Sequence, residues 1–473
     1  MRHLKLTFLT LLILVVSAGY LFAGGFALSG IGSKAISLGG AFRGMADDGS
    51  AMYWNPAGLG FMDKSFISLA GAGIMPKSEF TSEDIFPGIT GDKITAEEKL
   101  WLFPNLYAVK ACSDCKFKFG LGAYVPYGLG AEWDIFDLPT DRFFGVVVDT
   151  LGGTDMRPVI FANEDDFPDK EMKSSIGIVD VHPTVAYQIS DYVSIGAGLS
   201  VNYAMIEIAK LMPHSALGYF LPTTLKLEGT GLGFGGNIGL MYKPNDVVQV
   251  GLSGKLPSKI TMDGEVEASL WLSSYANYVM HYDNNPDHYA AALPYAGFGA
   301  TFSDTTDATA DLNLPGDIGW GISWKIKPNW VVNADCSYTF WSVMDKITIE
   351  MDPILDLTIA TKEEVEMETN WKDAFRVSLG TQYSFPKVDL RGGFFFDQSP
   401  IPYSSLSPTW PDTDDKYSGN VGLGFHLGKW LLDVNYEHIF FTERKISTPT
   451  ADNMTGTYNT GIDAANLGIT YTF

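Results

Sequence analysis

Asn55, Pro56 and Ala57 form the most chemically pointed short run in the chain. The Asn55 amide both donates and accepts, and Pro56 fixes the local backbone, so the pair could satisfy free main-chain groups where a strand kinks; an ordinary Asn-Pro turn is the alternative. Gly231, Gly233 and Gly236 match a G-x-G-x-x-G pattern, but they lie within an alternating strand and lack the following helix that a dinucleotide site requires, so they read as structural glycines. Cys112 and Cys115 bracket Ser113-Asp114, which allows a disulfide in a tight turn, a redox pair or two thiols. Seven histidines are present, His182 and His438 in strand-like runs, yet no Gly-x-Ser-x-Gly elbow accompanies them. They read as surface or rim residues, and no catalytic residue is assigned. Asp412, Asp414 and Asp415 have metal-like spacing but read as a solvated loop, with no metal and no cofactor expected.

Whatever these residues do, strands must position them. Period-two alternation recurs from about residue 64 to the end. In the terminal run Leu467, Ile469, Tyr471 and Phe473 share one face, and Asn466, Gly468, Thr470 and Thr472 share the other. Val193 to Tyr203 and Trp330 to Phe340 repeat the pattern, the latter placing Cys336 on the apolar face and Asp335 on the polar one. Strand-like runs begin near residues 64, 101, 116, 178, 192, 224, 246, 312, 329, 371, 388, 416, 429 and 460. Tight turns at Cys112–Cys115, Ser190-Asp191, 243–246, 327–329, 385–387 and Gly428-Lys429 alternate with long polar segments near 75–99, 126–177, 264–311, 350–370, 398–415 and 446–459.

That asymmetry predicts an all-β, transmembrane antiparallel β-barrel of about fourteen strands, with short periplasmic turns and long external loops. Composition agrees: 50 glycines and 13% aromatic residues suit barrel bends and interfacial girdles, and no apolar stretch of roughly eighteen residues follows Gly24. Residues 1–23 read as a signal peptide, with Arg2, His3 and Lys5 before the apolar run Leu6 to Val16; cleavage fits after Ala18 or near Ala23. Residues 24–62 do not alternate and are expected to form a hatch, or plug, inside a barrel of residues 63–473. The net charge of -23 repels phosphate backbones and excludes a nucleic-acid partner.

Several runs together carry a family resemblance. They are Gly25-Phe26-Ala27-Leu28, Gly39-Gly40-Ala41-Phe42, Ala46-Asp47-Asp48, Asn55-Pro56-Ala57-Gly58, Pro126-Tyr127-Gly128 with Trp133, Pro183 to Tyr187, Trp371-Lys372-Asp373 with Arg376, and Asp397-Gln398-Ser399-Pro400. In this order over most of the chain, the sequence resembles the FadL-type outer-membrane transporters of long-chain fatty acids and aromatic hydrocarbons. The resemblance implies a hatch that gates through Asn55, Pro56 and Ala57. It also implies a kinked third strand, here Gly120 to Gly128, whose Gly122, Pro126 and Gly128 permit a lateral opening in the wall. Phe26, Arg376 and Arg391 are the expected ligand contacts, although Asp389 and Asp397 share the polar side with Arg391 and could neutralise it. Where fatty-acid transporters of the family carry Gly-Arg after the corresponding Trp, this chain has Asp134-Ile135-Phe136-Asp137, which speaks against a fatty-carboxylate preference.

The expected function is passive, ligand-gated uptake of a hydrophobic small molecule across the bacterial outer membrane, not enzymatic. A general porin or structural barrel is the alternative, and a barrel-borne lipid hydrolase a more distant one. The expected partners are that ligand, outer-membrane lipid and lipopolysaccharide around a monomer, and the barrel-assembly machinery, which by the resemblance reads the terminal Phe473. Deleting Phe473 is accordingly expected to impair assembly; normal insertion of the truncated chain, followed by heat-modifiable gel mobility, would contradict the outer-membrane assignment.

Overall fold

Backbone N–H and C=O groups in lipid have no water to bond, so alternating strands there must pair until the sheet closes on itself. In the computed structural model the chain does this with fourteen antiparallel strands. The structure describes residues 25–83, 93–135, 144–148, 154–158, 170–216, 219–271, 301–352, 364–410, 412–448 and 454–473. The first six strands are β1 Phe66–Ser82, β2 Trp101–Lys110, β3 Phe117–Trp133, β4 Met172–Gln188, β5 Val193–Ala216 and β6 Tyr219–Tyr242. The next four are each built of two pieces: β7 Val248–Lys255 and Ser258–Trp271, β8 Thr301–Leu314 and Asp317–Lys327, β9 Trp330–Thr339 and Lys346–Met351, β10 Glu364–Glu368 and Ala374–Ser384. The last four are β11 Val388–Asp397, β12 Lys416–Leu427, β13 Trp430–Phe441 and β14 Gly456–Thr472. β14 seals against β1 along its whole length, from Phe66 opposite Thr472 to Ser82 opposite Gly456.

The tight turns fall where alternation placed them, and Cys112–Cys115 between β2 and β3 is a disulfide with its Cα atoms 5.3 Å apart. Several strands begin earlier than expected, β4 at Met172, β8 at Thr301, β10 at Glu364 and β14 at Gly456. The cause is an inversion of the apolar face. Near the turns the outward residues are apolar, as at Leu69, Leu199 and Leu232, which are 52, 52 and 60% exposed. Higher up the outward residues become charged, for example Asp263, Glu265 and Glu267, while Ile260, Met262, Val266 and Ala268 turn inward. These ends rise clear of the lipid and enclose an apolar core of their own, so they lack the pattern of a lipid-facing strand and read as loop.

Two aromatic rings bound the apolar band. Tyr383–Phe385 and Trp430–Tyr471 pair near the turns, with centroids 5.0 and 4.7 Å apart, and Phe375–Phe396 and Phe396–Tyr417 pair above them at 5.5 and 5.1 Å. Tyr383 and Phe375 on β10 are eight residues apart, roughly 26 Å along a strand, which suits the apolar band of an outer-membrane barrel.

Asp335 is buried toward the lumen, whereas Cys336 is half-buried on the outer face and is the one free cysteine among the described residues. In membranes Cys336 is expected to resist a charged thiol reagent and to react once the barrel is unfolded. Ready labelling in the intact membrane would shift the register of β9 by one residue.

Candidate functional site

Residues 25–62 form short pieces with little regular structure: a helix at Ser33–Ser37, another at Ala51–Trp54, and a 3-10 helix at Pro56–Phe61. Glycines on the inward faces of the strands make room for them. A side chain at Gly422, Gly393, Gly251 or Gly196 would collide with Ser37, Leu38, Arg43 or Pro56 respectively, and one at Gly468 would press on Ser33, so the segment touches β12, β11, β7, β5 and β14 at close range. Polar strand residues then fasten its backbone. Oδ2 of Asp335 accepts from the amides of Phe42 and Arg43 at 2.9 and 2.6 Å. Asn237 donates to the Met52 carbonyl and Ser253 to that of Trp54, both at 2.7 Å. Within the segment, Asp48 accepts from both the amide and the hydroxyl of Ser50. Burial lifts its carboxyl to about 6, against the opposing pull of Lys34.

Asn55 is fully buried. Its Nδ2 donates to the carbonyls of Arg43 at 3.0 Å and Leu240 at 3.2 Å, and its Oδ1 accepts from Ala57 N at 3.1 Å, capping the 3-10 helix that Pro56 opens. It therefore ties the segment to β6. The expected bond between Asn55 and the kinked third strand is not made: the hydrogen bonds of its side chain run to β6 and to its own segment.

The third strand is irregular where glycine and proline suggested. β3 pairs with β2 only from Lys110 opposite Phe119 to Leu106 opposite Ala123. Gly122 lies within that paired stretch, opposite Tyr107. Its pairing with β4 slips between Tyr124 and Tyr127, around Val125 and Pro126. Above Ala123, β3 has left β2, and its freed edge is taken by the segment inside the barrel. Leu28 N donates to Pro126 O at 3.1 Å, Gly128 N donates to Phe26 O at 2.7 Å, and Ala27 bridges Tyr127 in antiparallel fashion. Higher still, Glu97 N donates to Glu132 O.

Phe26 anchors this short strand in an aromatic cage. Its ring centroid lies 5.3 Å from Trp341, 5.6 Å from Tyr127 and 5.8 Å from Trp371, and Trp371 continues to Trp410 at 5.2 Å. Gly25, with φ +61°, leads into the cage, and its amide donates to Asp412 at 2.6 Å. Asp412 is buried against Lys416, and Asp414 pairs with Arg444, so these two are partnered interior groups rather than parts of a solvated loop; Asp415 is part-buried and accepts from Ser399 N. The signal that was missed is Lys416, four residues after Asp412. The two arginines are likewise committed. Arg376 donates to the Ser29 and Gly39 carbonyls at 2.6 and 3.3 Å and lies over the Phe395 ring, while Arg391 bonds Asp433, Asp389 and Gln382.

His182 is buried, not at a rim, because Asp180, Ser200 and Asn237 surround it with partners. Both Asp180 and Ser200 meet Nδ1, at 3.1 and 3.0 Å, whereas a hydrolytic triad places the serine on Nε2 and the acid on Nδ1. His438 lies outward against Asp463. Two recesses link the cage to the kink. One lies among Leu28, Arg43, Trp54 and Trp341, and another lies among Tyr124, Pro126, Asp180 and His182; Tyr53, Tyr127, Lys255 and Pro315 border both.

Comparison with known proteins places this arrangement. Residues 14–148 and 161–473 match the model of the outer membrane protein transport protein family (OMPP1/FadL/TodX). The long-chain fatty acid transport protein of Escherichia coli O6:H1 is 26% identical over 413 residues, covering 82% of this chain and 79% of that protein. The 47 kDa outer membrane protein of Pasteurella multocida is 26% identical over 438 residues, covering 90% and 89%. Among solved structures, a Pseudomonas aeruginosa FadL homologue superposes with a TM-score of 0.71 at 16% identity over 95% of this chain and 100% of that one. The Pseudomonas putida toluene transporter TodX does so with 0.67 at 15% over 94% and 98%. The chain therefore belongs to the FadL/TodX family of outer-membrane transport proteins, which are channels and not enzymes.

Proposed function

We propose that the barrel admits an uncharged hydrophobic compound at its external end, exchanges it for Phe26 in the aromatic cage, and releases it sideways through the wall between β2 and β3. The observation that carries this reading is the substitution at the β3 edge, where Phe26, Ala27 and Leu28 supply main-chain bonds that β2 has ceased to supply. Such bonds can be given up locally without opening the rest of the ladder. A ligand that displaces Phe26 from the cage pulls on the same three residues, so binding at the cage is coupled to the wall. The cage suits a compound with an aromatic ring or a compact apolar body, since it already holds a benzyl group among three aromatic side chains. Arg391 is ion-paired with Asp389 and Asp433, and Arg376 faces Asp397 at 4.0 Å, in line with an uncharged compound, although relatives carry the names of long-chain fatty acid and of toluene transport.

Two variants test the coupling. Ala27 and Tyr127 form a non-hydrogen-bonded antiparallel pair, for which Cα atoms lie about 4.5 Å apart, within reach of a disulfide. In Ala27→Cys with Tyr127→Cys, uptake of radiolabelled toluene by cells is expected to vanish under oxidising conditions and return on adding dithiothreitol. Wild-type cells given the same reductant control for the Cys112–Cys115 disulfide. Uptake by the oxidised variant at the wild-type rate would overturn the lateral route and leave passage through the lumen. Asn55→Ala leaves the Arg43 and Leu240 carbonyls without their donor, a local cost of about 1–3 kcal/mol. Uptake is expected to change while the folded barrel keeps its heat-resistant gel mobility; unchanged uptake would remove Asn55 from the gating machinery.

A further inference from the structure

Lysines are used differently at the two ends of the barrel. On the upper strand halves they are spent on carboxylates, as Lys173 is on Glu207, Lys226 on Glu228 and Lys259 on Asp311. At the end of the tight turns one sector departs from this. Lys327 closing β8, Lys387 just before β11 and Lys429 just before β13 stand in three successive turns; all are exposed, and among the described residues none of the three makes an ion pair. The nearest strand carboxylates, Asp389 and Asp433, are buried and bond Arg391 instead. The turns before β3, β5 and β7, by contrast, each hold an exposed aspartate, at Asp114, Asp191 and Asp246. Each lysine of the sector also has an aromatic neighbour: Trp330 lies opposite Lys327 in register, and Phe385 and Trp430, both exposed, lie beside Lys387 and Lys429 in the chain. Lys429 Nζ stands 5.8 Å from the Tyr471 ring.

We infer that this sector is a contact surface for anionic phospholipid of the inner leaflet, with Lys327, Lys387 and Lys429 meeting net negatively charged headgroups. Aromatic side chains of this kind sit at the level where headgroups meet acyl chains, so lysines beside them stand at the bilayer boundary rather than out in the periplasm. Successive turns are two strands apart, roughly 10 Å, which sets the three charges out along a line of lipids. A free ammonium in that position favours an anionic neighbour over a zwitterionic one, and no carboxylate of the sector competes for it. In the fourteen-strand order β10 lies half-way round the barrel from β3, so the contact holds the side away from the β2–β3 boundary. The inference does not depend on the route taken by the ligand.

Trp330 and Trp430 report on the lipid next to these lysines. The full-length barrel is reconstituted into phosphatidylcholine bilayers in which a fixed fraction of the lipid is brominated on its acyl chains, as phosphatidylglycerol in one series and as phosphatidylcholine in the other, and tryptophan quenching gives the relative association constant. At low salt the wild type is expected to prefer phosphatidylglycerol about fivefold at the quenched sites, the preference of one lysine close to an anionic headgroup. High salt is expected to abolish most of that preference, since the charges are exposed. The triple variant Lys327→Gln, Lys387→Gln, Lys429→Gln keeps every tryptophan and is expected to quench equally with both lipids; retained heat-modifiable mobility shows that it folds. Equal quenching of the wild type by the two lipids, a preference that survives in the triple variant, or one that high salt leaves intact would overturn the lipid contact. Sedimentation with purified peptidoglycan tests the other acidic polymer at this face: binding by the wild type and not by the variant, with no lipid preference, would overturn the inference and give the sector to the cell wall.

Discussion

Every main-chain polar group at membrane depth must find a partner inside the protein, because each one left open in hydrocarbon costs several kcal/mol. The seal of β14 onto β1 answers this requirement for the sheet as a whole. It also makes the β2–β3 boundary meaningful. There the wall departs from a continuous ladder, and its missing partner comes from a segment that belongs to the lumen. On the proposed lateral route, a wall defect filled by this segment would combine closure at rest with a means of opening, whereas a regular strand in that place would give only closure.

The lower lumen and the upper chamber divide the remaining work by polarity. Below, carboxylates and amides on the strands hold the inner segment by its backbone, as Asp335 and Asn237 do, so that most of it is fixed. Above, the inversion of faces turns the barrel interior apolar, and the aromatic residues Trp341, Trp371 and Trp410 gather around the side chain of Phe26, whose main chain is bonded to β3. Phe26 stands at the junction. On the proposed route, an apolar ligand entering the cage would meet Phe26 there, away from the bonds around Asn55.

Much of this architecture was readable in one sequence. Leu467, Ile469, Tyr471 and Phe473 declared a lipid face because lipid tolerates no polar interruption, and Asp335 and Cys336 followed from the same period. The upper strand halves were not readable as strands, since an apolar interior and a charged exterior belong equally to a loop-rich region. The residues of the candidate site were legible only in part. Pro126 and Gly128 marked an irregular strand, but nothing in the sequence tells that Phe26, Ala27 and Leu28 would pair with it, because three residues carry no measurable alternation and their partner is an edge that exists only after closure. His182 and Asp412 were misplaced for a related reason: burial of a polar residue depends on partners such as Asn237 and Gly25, which are distant in sequence.

The central claim is that one short segment completes the wall and leaves it when the cage fills. Amide hydrogen exchange of the detergent-solubilised barrel, read by mass spectrometry on peptides covering residues 25–33 and 124–132, follows both sides of that junction at once. With no ligand, Leu28 and Gly128 are predicted to be protected. On adding toluene, both peptides are predicted to lose protection together, while the paired stretch from Phe119 to Ala123 keeps its own. Unaltered protection in both peptides at saturating toluene would contradict the account.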